Sequence, residues 1–426
     1  MKDKNKFPYS EVLKKIKPQK EERKKFEAAT ASFLSKLHKN ISPGKAILGG
    51  SGAKDTWLSG NPDIDIFVLF PYEKYKLKSE QLSTLLKPLL TKTFPSQKIA
   101  VLHGSRDYFQ ISFQGFTFEI VPILNIKKAE QTVNITDVSP LHAQWVNTKA
   151  KNMKDEVRLA KQFCKAQKIY GAESHIQGFS GYVLEILIVF YGSFQKLLAA
   201  SQKWKEKEVI DVAKHYPKQD ALFNLNKSKQ QSPLIVIDPV DKKRNAAAAL
   251  SFNSLQKFCL LAKEFLNKPL ASYFELTPLD QKKLQQEARK QNRHLLFLVI
   301  KPIQGKEDVV GVKLWKVFTF LQEKLKPYVV TKADWEWNIK ADEACFFFFV
   351  SLLRRLSWEI RQGPPLNIPT AAENFKRKHP GAFVKKGRLM AKLKVKNPLL
   401  KDFMAEALND AYVQERIKKV RLIKIG

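Results

Sequence analysis

The stretch GGSGAKDTWLSGNPDIDIFVLF, residues 49–70, limits the fold more than any other part of the chain. A glycine- and serine-bearing turn closes the short apolar segment KAILGG. Further on, two aspartates flank one isoleucine at the head of a β-branched and aromatic run. Side chains alternate across a strand, so Asp63 and Asp65 share one face while Ile64 and Ile66 share the other, which can bury. FTFEIVPIL repeats the arrangement, with Glu119 between Phe118 and Ile120, and KIAVLHG and DYFQISFQG read as two more strands. Helical spacing in EVLKKIKPQK and EERKKFEAATASFLSKLHKN precedes them and breaks at Pro43-Gly44. Ser51 reads as the N-cap of a helix that follows the turn. Residues 1–145 are therefore expected to form an α/β domain with a mixed sheet.

The character then changes. DEVRLAKQFCKAQKIYG is helical by periodicity, and FSGYVLEILIVFYGSFQKLLAASQKW reads as one further helix, apolar nearly all round and hence buried between neighbours. KSKQQSPLIVIDPVDKKRN reads as a loop punctuated by Pro233 and Pro239, leading into a helix in AAAALSFNSLQKFCLLAKEFL. These segments predict a helical middle domain over 146–268. In 269–426, HLLFLVIKP and DWEWNIK read as strands, while GVKLWKVFTFLQEKL and ADEACFFFFVSLLRRLSW read as helices. A chain of 426 residues exceeds one ordinary core. The expected class is α+β and multidomain, ending in an α+β body and a basic tail.

Charge narrows the partners. Lysine and arginine number 75 against 41 acidic residues, a net charge of +34. Such a surplus repels itself and fits a polyanion; a protein making ~6–10 phosphate contacts loses ~10³–10⁵ in affinity between low and moderate salt. Charge alone leaves RNA, DNA and an acidic membrane open. Residues 371–426 hold 15 basic and 5 acidic side chains, with Phe375, His379, Pro380 and Phe383 interleaved before Lys385, Lys386 and Arg388. Double-stranded RNA is read largely by shape and backbone, so this segment is the expected RNA-binding surface. Cys164, Cys259 and Cys345 lie far apart, which argues against a disulfide framework or a zinc site. MKDKNKFPYS lacks a signal-type apolar run, and ACFFFFVSLL is about half the length that spans a bilayer. A soluble, cytoplasmic protein without a membrane partner is expected.

Two carboxylates side by side repel unless a cation sits between them. Hard oxygen ligands with open positions suit Mg²⁺, completed by substrate phosphates. Glu119 is the candidate third carboxylate. Two such ions ~3.5–4 Å apart serve in-line displacement at phosphorus. Gly49, Gly50 and Gly52 let backbone amides approach phosphate oxygens, and Lys54 can reach the same phosphates. No Gly-Lys-Ser/Thr closes the turn, so it is not a Walker loop.

In this combination the chain resembles the DNA polymerase β-like nucleotidyltransferase superfamily and, within it, the archaeal-type (class I) CCA-adding enzymes. SPLHAQWV, DEVRLAKQFCKAQKIYGAE, GFSGYVLEILIVFYGSF and IDPVDKKRNAAAAL resemble that family's segments in order, and RQGPPLNIPTAAENFKRKHP does so more faintly. The resemblance implies addition of CCA to the 3′ end of tRNA from CTP and ATP. It implies that Ser51 and Lys54, beside the Gly50 backbone already assigned to phosphate, hold the triphosphate and that Asp63, Asp65 and Glu119 bind Mg²⁺ and carry the catalysis. His142, Lys161 and Tyr170 would contact the nucleotide, and Arg244 would help select C and A over G and U. The basic tail would grip the tRNA acceptor stem, and a homodimer would be in keeping with the family. Three positions depart from the family's usual residues: Lys54 stands for arginine, Asp63 for glutamate and Glu119 for aspartate. Lysine cannot copy arginine's bidentate fork. The competing expectations are another RNA 3′-nucleotidyltransferase, such as a poly(A) polymerase, and a non-catalytic RNA-binding protein on the same fold.

Overall fold

The structure is a computed structural model that describes residues 7–42, 44–60, 63–216, 221–353, 358–394 and 399–425. It divides into two compact units, Met1–Thr277 and Pro278–Gly426.

The first unit opens with α1 (Tyr9–Ile16) and α2 (Lys20–His38), continues through β1 (Lys45–Leu48), α3 (Gly50–Lys54), β2 (Ile64–Pro71), α4 (Tyr72–Tyr75) and α5 (Leu82–Thr93), then β3 (Ile99–Leu102), β4 (Tyr108–Phe113) and β5 (Phe116–Asn125). The strands form one mixed sheet in the order β1-β2-β5-β4-β3, with β2 and β5 parallel and the other neighbours antiparallel. Alternation works as the sequence predicts. Ile64, Ile66, Val68 and Phe70 of β2 and Phe118, Ile120 and Leu124 of β5 are buried in one core, against Phe26, Phe33 and Leu37 of α2 and Leu82, Leu86 and Leu90 of α5. Asp65 and Glu119 are thereby left on the opposite face. α3 begins two residues earlier than expected: Gly49 precedes it, no side chain caps it, and Ser51 lies in its single turn.

A helical layer follows: α6 (Ser139–Lys149), α7 (Lys154–Ala166), α8 (Gly181–Tyr191), α9 (Phe194–Ser201), β6 (Glu208–Ile210), α10 (Ala221–Asn224), β7 (Leu234–Val236) and α11 (Phe252–Asn267). The apolar segment expected as one helix is two, α8 and α9, bent by 91°. Gly192 takes φ +85 at the break, and Ser193 Oγ then accepts from the Lys196 amide at 3.2 Å, restarting the helix. The segment expected as a loop contains β7, which pairs in parallel with β6. Ala246–Ala249 form turns and not helix, because Ser251 supplies the cap that starts α11. No single helix among the described residues is long and apolar enough to cross a membrane, and α8 is buried in the core it shares with α7, α9 and α11.

The second unit holds α12 (Gln281–Lys290), β8 (His294–Pro302), α13 (Glu307–Lys324), β9 (Val330–Asn338), β10 (Glu343–Val350), β11 (Trp358–Pro365), α14 (Pro369–Lys378), β12 (Phe383–Lys385), β13 (Arg388–Lys394), α15 (Leu400–Leu408), α16 (Ala411–Gln414) and β14 (Ile417–Ile425). An antiparallel sheet runs β14-β8-β10-β9, and a smaller one runs β11-β13-β12. The ACFFFFV run was expected to be helical and is the inner strand β10, while residues 354–357 of that expectation lie outside the described residues. Phe346, Phe348 and Val350 pack with α13 and α15, whereas Phe347 and Phe349 pack with α12. A strand covered on both faces shows no polar alternation, which is why its period was hidden.

Candidate active site

The turn and the first acidic strand are built around one another. The Gly49 amide donates to the Asp65 carbonyl at 2.7 Å. Gly50 takes φ +51, and a Cβ there would stand 1.6 Å from Asp65 Oδ2. Glycine is thus required twice at that position, by backbone conformation and by the neighbouring carboxylate. A Cβ on Gly49 would lie 2.4 Å from the Phe67 ring, so the turn also rests on β2.

Asp65 and Glu119 are direct neighbours across the parallel β2–β5 pair. Gln110 of β4, opposite Glu119 on its other side, donates to Glu119 Oε1 at 3.3 Å. Asp63 is exposed, immediately before β2, and its charge reaches Asp65. Burial raises the Asp65 carboxyl to about 6; Lys54 opposes that rise, Asp63 reinforces it and Lys161 opposes it. Among the described residues, no group of three or more His, Cys, Asp or Glu side chains is gathered closely enough to hold a metal ion.

Behind the turn lies a buried ionic cluster. Glu185 of α8 accepts from Lys54 Nζ on Oε2, and from Lys161 Nζ and Thr56 Oγ1 on Oε1, each at 2.8 Å. Lys161 also donates to Thr56 Oγ1 at 2.8 Å and to the Thr56 carbonyl at 3.3 Å. Burial alone would push the Glu185 carboxyl up, but the two ammonium groups outweigh it and hold it at about 2. Burial lowers the Lys161 ammonium, against the opposing pull of Glu185. Tyr170 belongs to the same wall: a Cβ on Gly181 would stand 2.9 Å from its hydroxyl and 3.3 Å from Lys161 Cε.

A second cluster adjoins through Tyr182, whose ring lies 5.1 Å from Lys54 Nζ and is stacked on His142 with centroids 4.0 Å apart. Asp238 gathers this cluster. Its Oδ2 meets His142 Nε2 at 3.0 Å and accepts from Arg244 at 2.6 Å, while Oδ1 accepts from Tyr182 at 3.1 Å and from the Val240 amide at 3.0 Å. Burial lowers the His142 ring below its ordinary value despite Asp238. Asp238 itself is held well below the usual carboxylate range, the bond and charge of His142 and the charge of Arg244 outweighing burial.

Gly50, Ser51, Lys54, Asp63, Asp65, Glu119, His142, Lys161, Tyr170 and Arg244 therefore all lie in the first unit. A continuous chain of contacts and charge runs from Asp65 through Lys54 and Tyr182 to Arg244. Lys385, Lys386 and Arg388 lie in the second unit, exposed at the tip of the β12–β13 hairpin. Sequence reasoning missed Glu185, Asp238, Tyr182 and Thr56. A signal for two of them existed: Glu185 is the one charged residue in GYVLEILIVFY, and Asp238 ends the apolar run LIVID. A lone acid in a buried segment needs a partner.

Residues 29–136 match the nucleotidyltransferase domain family, and residues 155–275 match the second domain of tRNA nucleotidyltransferase. Sheet, turn and carboxylates thus define a nucleotidyltransferase. The CCA-adding enzyme of Methanosarcina barkeri (strain Fusaro / DSM 804) is 31% identical over 418 residues, covering 93% of this chain and 88% of its own. That of Methanosarcina acetivorans is 30% identical over 96% of this chain and 90% of its own, and that of Nanoarchaeum equitans 42% identical over 56% and 59%. The chain belongs to the family of CCA-adding enzymes. A solved cytoplasmic RNA terminal U-transferase aligns with 64% of this chain and 98% of its own at a TM-score of 0.48 and 15% identity.

Proposed function

We propose that this protein adds C, C and A to the 3′ end of tRNA from CTP and ATP without a nucleic-acid template. The RNA 3′-oxygen forms a bond to the α-phosphorus, the bond to the β-phosphate oxygen breaks, the hydroxyl loses its proton and pyrophosphate leaves. The carrying observation is the registry of Asp65 against Glu119 beneath the Gly50 turn, in a chain whose relatives are CCA-adding enzymes.

The adjacent pair Asp65 and Glu119 suits Mg²⁺, which keeps several waters and needs few protein ligands. Asp65 and Glu119 supply hard oxygens from adjacent strands, Asp63 stands two residues from Asp65, and burial raises the Asp65 carboxyl, which a bound cation would offset. A pair of such ions, when bound, lowers the pKa of an attacking hydroxyl and neutralises charge on the phosphoryl oxygens. The protein's own groups do the remainder. Backbone amides of the Gly50–Gly52 turn and the Lys54 ammonium hold the triphosphate. Arg244, fixed by Asp238 and lying 6.0 Å from the Tyr182 ring centroid, faces the base and favours C and A over G and U. The basic hairpin of Lys385, Lys386 and Arg388 contacts the tRNA backbone.

The test is Asp65→Ala, assayed for CMP and AMP addition to tRNA lacking CCA, beside binding of the same tRNA. Loss of chemistry by ~10³-fold or more, the several kcal/mol that bound metal supplies, is expected with tRNA affinity changed by less than about twofold. Unlimited tailing from ATP alone by the wild-type protein would overturn the reading in favour of a poly(A) polymerase.

A further inference from the structure

Glu185 is a carboxylate 1% exposed, placed in the middle of an otherwise apolar helix. Such a group persists only where its charge and lone pairs are met. Three donors meet it from three parts of the chain: Thr56 just past α3, Lys161 of α7, and Lys54 at the end of α3.

The donors are not equivalent. Lys161 spends its ammonium on Glu185 Oε1, Thr56 Oγ1 and the Thr56 carbonyl, which accounts for its three N–H bonds. Among the described residues Lys54 has one hydrogen-bond acceptor, Glu185 Oε2, and 11% of its side chain is exposed. Two of its N–H groups therefore remain for other acceptors, and Gly50–Gly52 of the turn belong to the same helix as Lys54. The arrangement is a hierarchy, in which Lys161 and Thr56 fix the carboxylate and the carboxylate fixes Lys54.

We propose that Glu185 is a positioning residue that aims the Lys54 ammonium at the triphosphate of the incoming nucleotide, with Lys161 and Thr56 as its anchor; this rests on the nucleotidyl transfer proposed above. It assigns a role to Glu185 and gives Lys161 a share in fixing that carboxylate. It also bears on the lysine at position 54. A lysine is a flexible point charge where arginine is a rigid fork, so it needs an external group to set its direction. A single carboxylate oxygen at 2.8 Å supplies that direction.

Glu185→Gln separates this role from a merely structural one. The amide oxygen can still accept from Thr56 and Lys161, but the amide NH₂ then faces Lys54, donor against donor. The expected result is a KM for CTP and for ATP raised together by about tenfold, the worth of one charge-assisted hydrogen bond, with kcat changed by less than about threefold and tRNA binding unchanged. Glu185→Asp, which keeps the charge one methylene short, should recover part of the loss, and it carries the same test if the amide variant does not fold. In a Lys54→Met background, Glu185→Gln should add nothing further to KM, since its effect passes through the missing ammonium. Unchanged KM in Glu185→Gln, or effects that multiply in the double variant, would overturn the proposal. The wild-type control reports separately on the underlying reaction: a wild type that does not add C and A defeats the functional reading, whereas a normal wild type beside a normal Glu185→Gln defeats only this one.

Discussion

Asp65 and Gly50 compete for the same space: a Cβ on Gly50 would stand 1.6 Å from Asp65 Oδ2 and 3.0 Å from Asp65 Cβ. The turn therefore closes over the acidic strand only because the residue above it has no side chain. Gly50→Ala should cost about 1–3 kcal/mol of stability, from the positive φ and the clash together, and reduce nucleotide addition by ~100-fold or more. In an Asp65→Ala background the same substitution should cost less, because the carboxylate oxygen is gone while the strain of φ +51 remains. Denaturant unfolding of the four proteins measures that difference.

The Asp65 carboxyl has a stability signature with a definite sign. Burial, joined by the charge of Asp63 and opposed by Lys54 and Lys161, raises it from 3.8 to about 6. An acid raised on folding favours the folded state while protonated. Its contribution is greatest below the unfolded value and is lost as pH rises through the window from about 4 to about 6. Without divalent metal, Asp65→Asn should thus be more stable than wild type at pH 7.5, by roughly 2–3 kcal/mol at most, and equal to it near pH 4. Mg²⁺ should narrow the gap at pH 7.5 by stabilising wild type alone. Thermal melts across pH, with EDTA and with Mg²⁺, read both effects.

Asp238 joins His142, Tyr182 and Arg244 in one hydrogen-bonded group, so its removal should disturb base choice before it disturbs phosphate chemistry. In Asp238→Asn the Arg244 guanidinium loses its charged partner, and a charge-assisted bond of this kind is worth about 1.5–3 kcal/mol. The preference for CTP over UTP at the first added position should fall by about tenfold or more, with addition from CTP alone affected less. A competition assay with both nucleotides on tRNA lacking CCA checks this. Unchanged preference would detach Arg244 from base selection.

The parts of this architecture that were legible in the sequence are those where local pattern and tertiary environment agree. At their N-terminal ends β2 and β5 alternate buried apolar residues with the acids Asp65 and Glu119, so alternation exposed both the strands and the acids they carry. β10 failed for the opposite reason: its even and odd side chains enter two different cores, and a run buried on both faces has no readable period. The break between α8 and α9 is written in Gly192 and Ser193, yet apolar residues on both sides masked it. At the site, Asp63, Asp65 and Glu119 announced themselves by spacing. Glu185 and Asp238 did not, since each gains its meaning from partners as far as 131 residues away in one case and 96 in the other. Ser51 was misplaced by two positions because Gly49, with extended backbone, takes the place before the helix.

The β12–β13 hairpin makes the clearest prediction about RNA. Lys385 pairs with Arg388, and Lys386 and Gly387 between them take φ +49 and φ +73, the left-handed pair that a tight two-residue hairpin turn demands. All three cations are exposed at its tip. Groups so placed contribute to phosphate contact through charge, so neutralising them should weaken every tRNA alike without changing which nucleotide is added. The triple variant Lys385→Gln, Lys386→Asn, Arg388→Gln keeps the turn, because asparagine tolerates the left-handed conformation. If all three meet phosphates, the slope of log K against log salt should become shallower by about 2–3. At saturating tRNA, kcat for CMP addition should stay within about twofold of wild type, since none of the three lies in the unit that carries Asp65 and Glu119. A fluorescence titration at four or so salt concentrations gives the slope, and an unaltered slope would remove the hairpin from the RNA-binding surface.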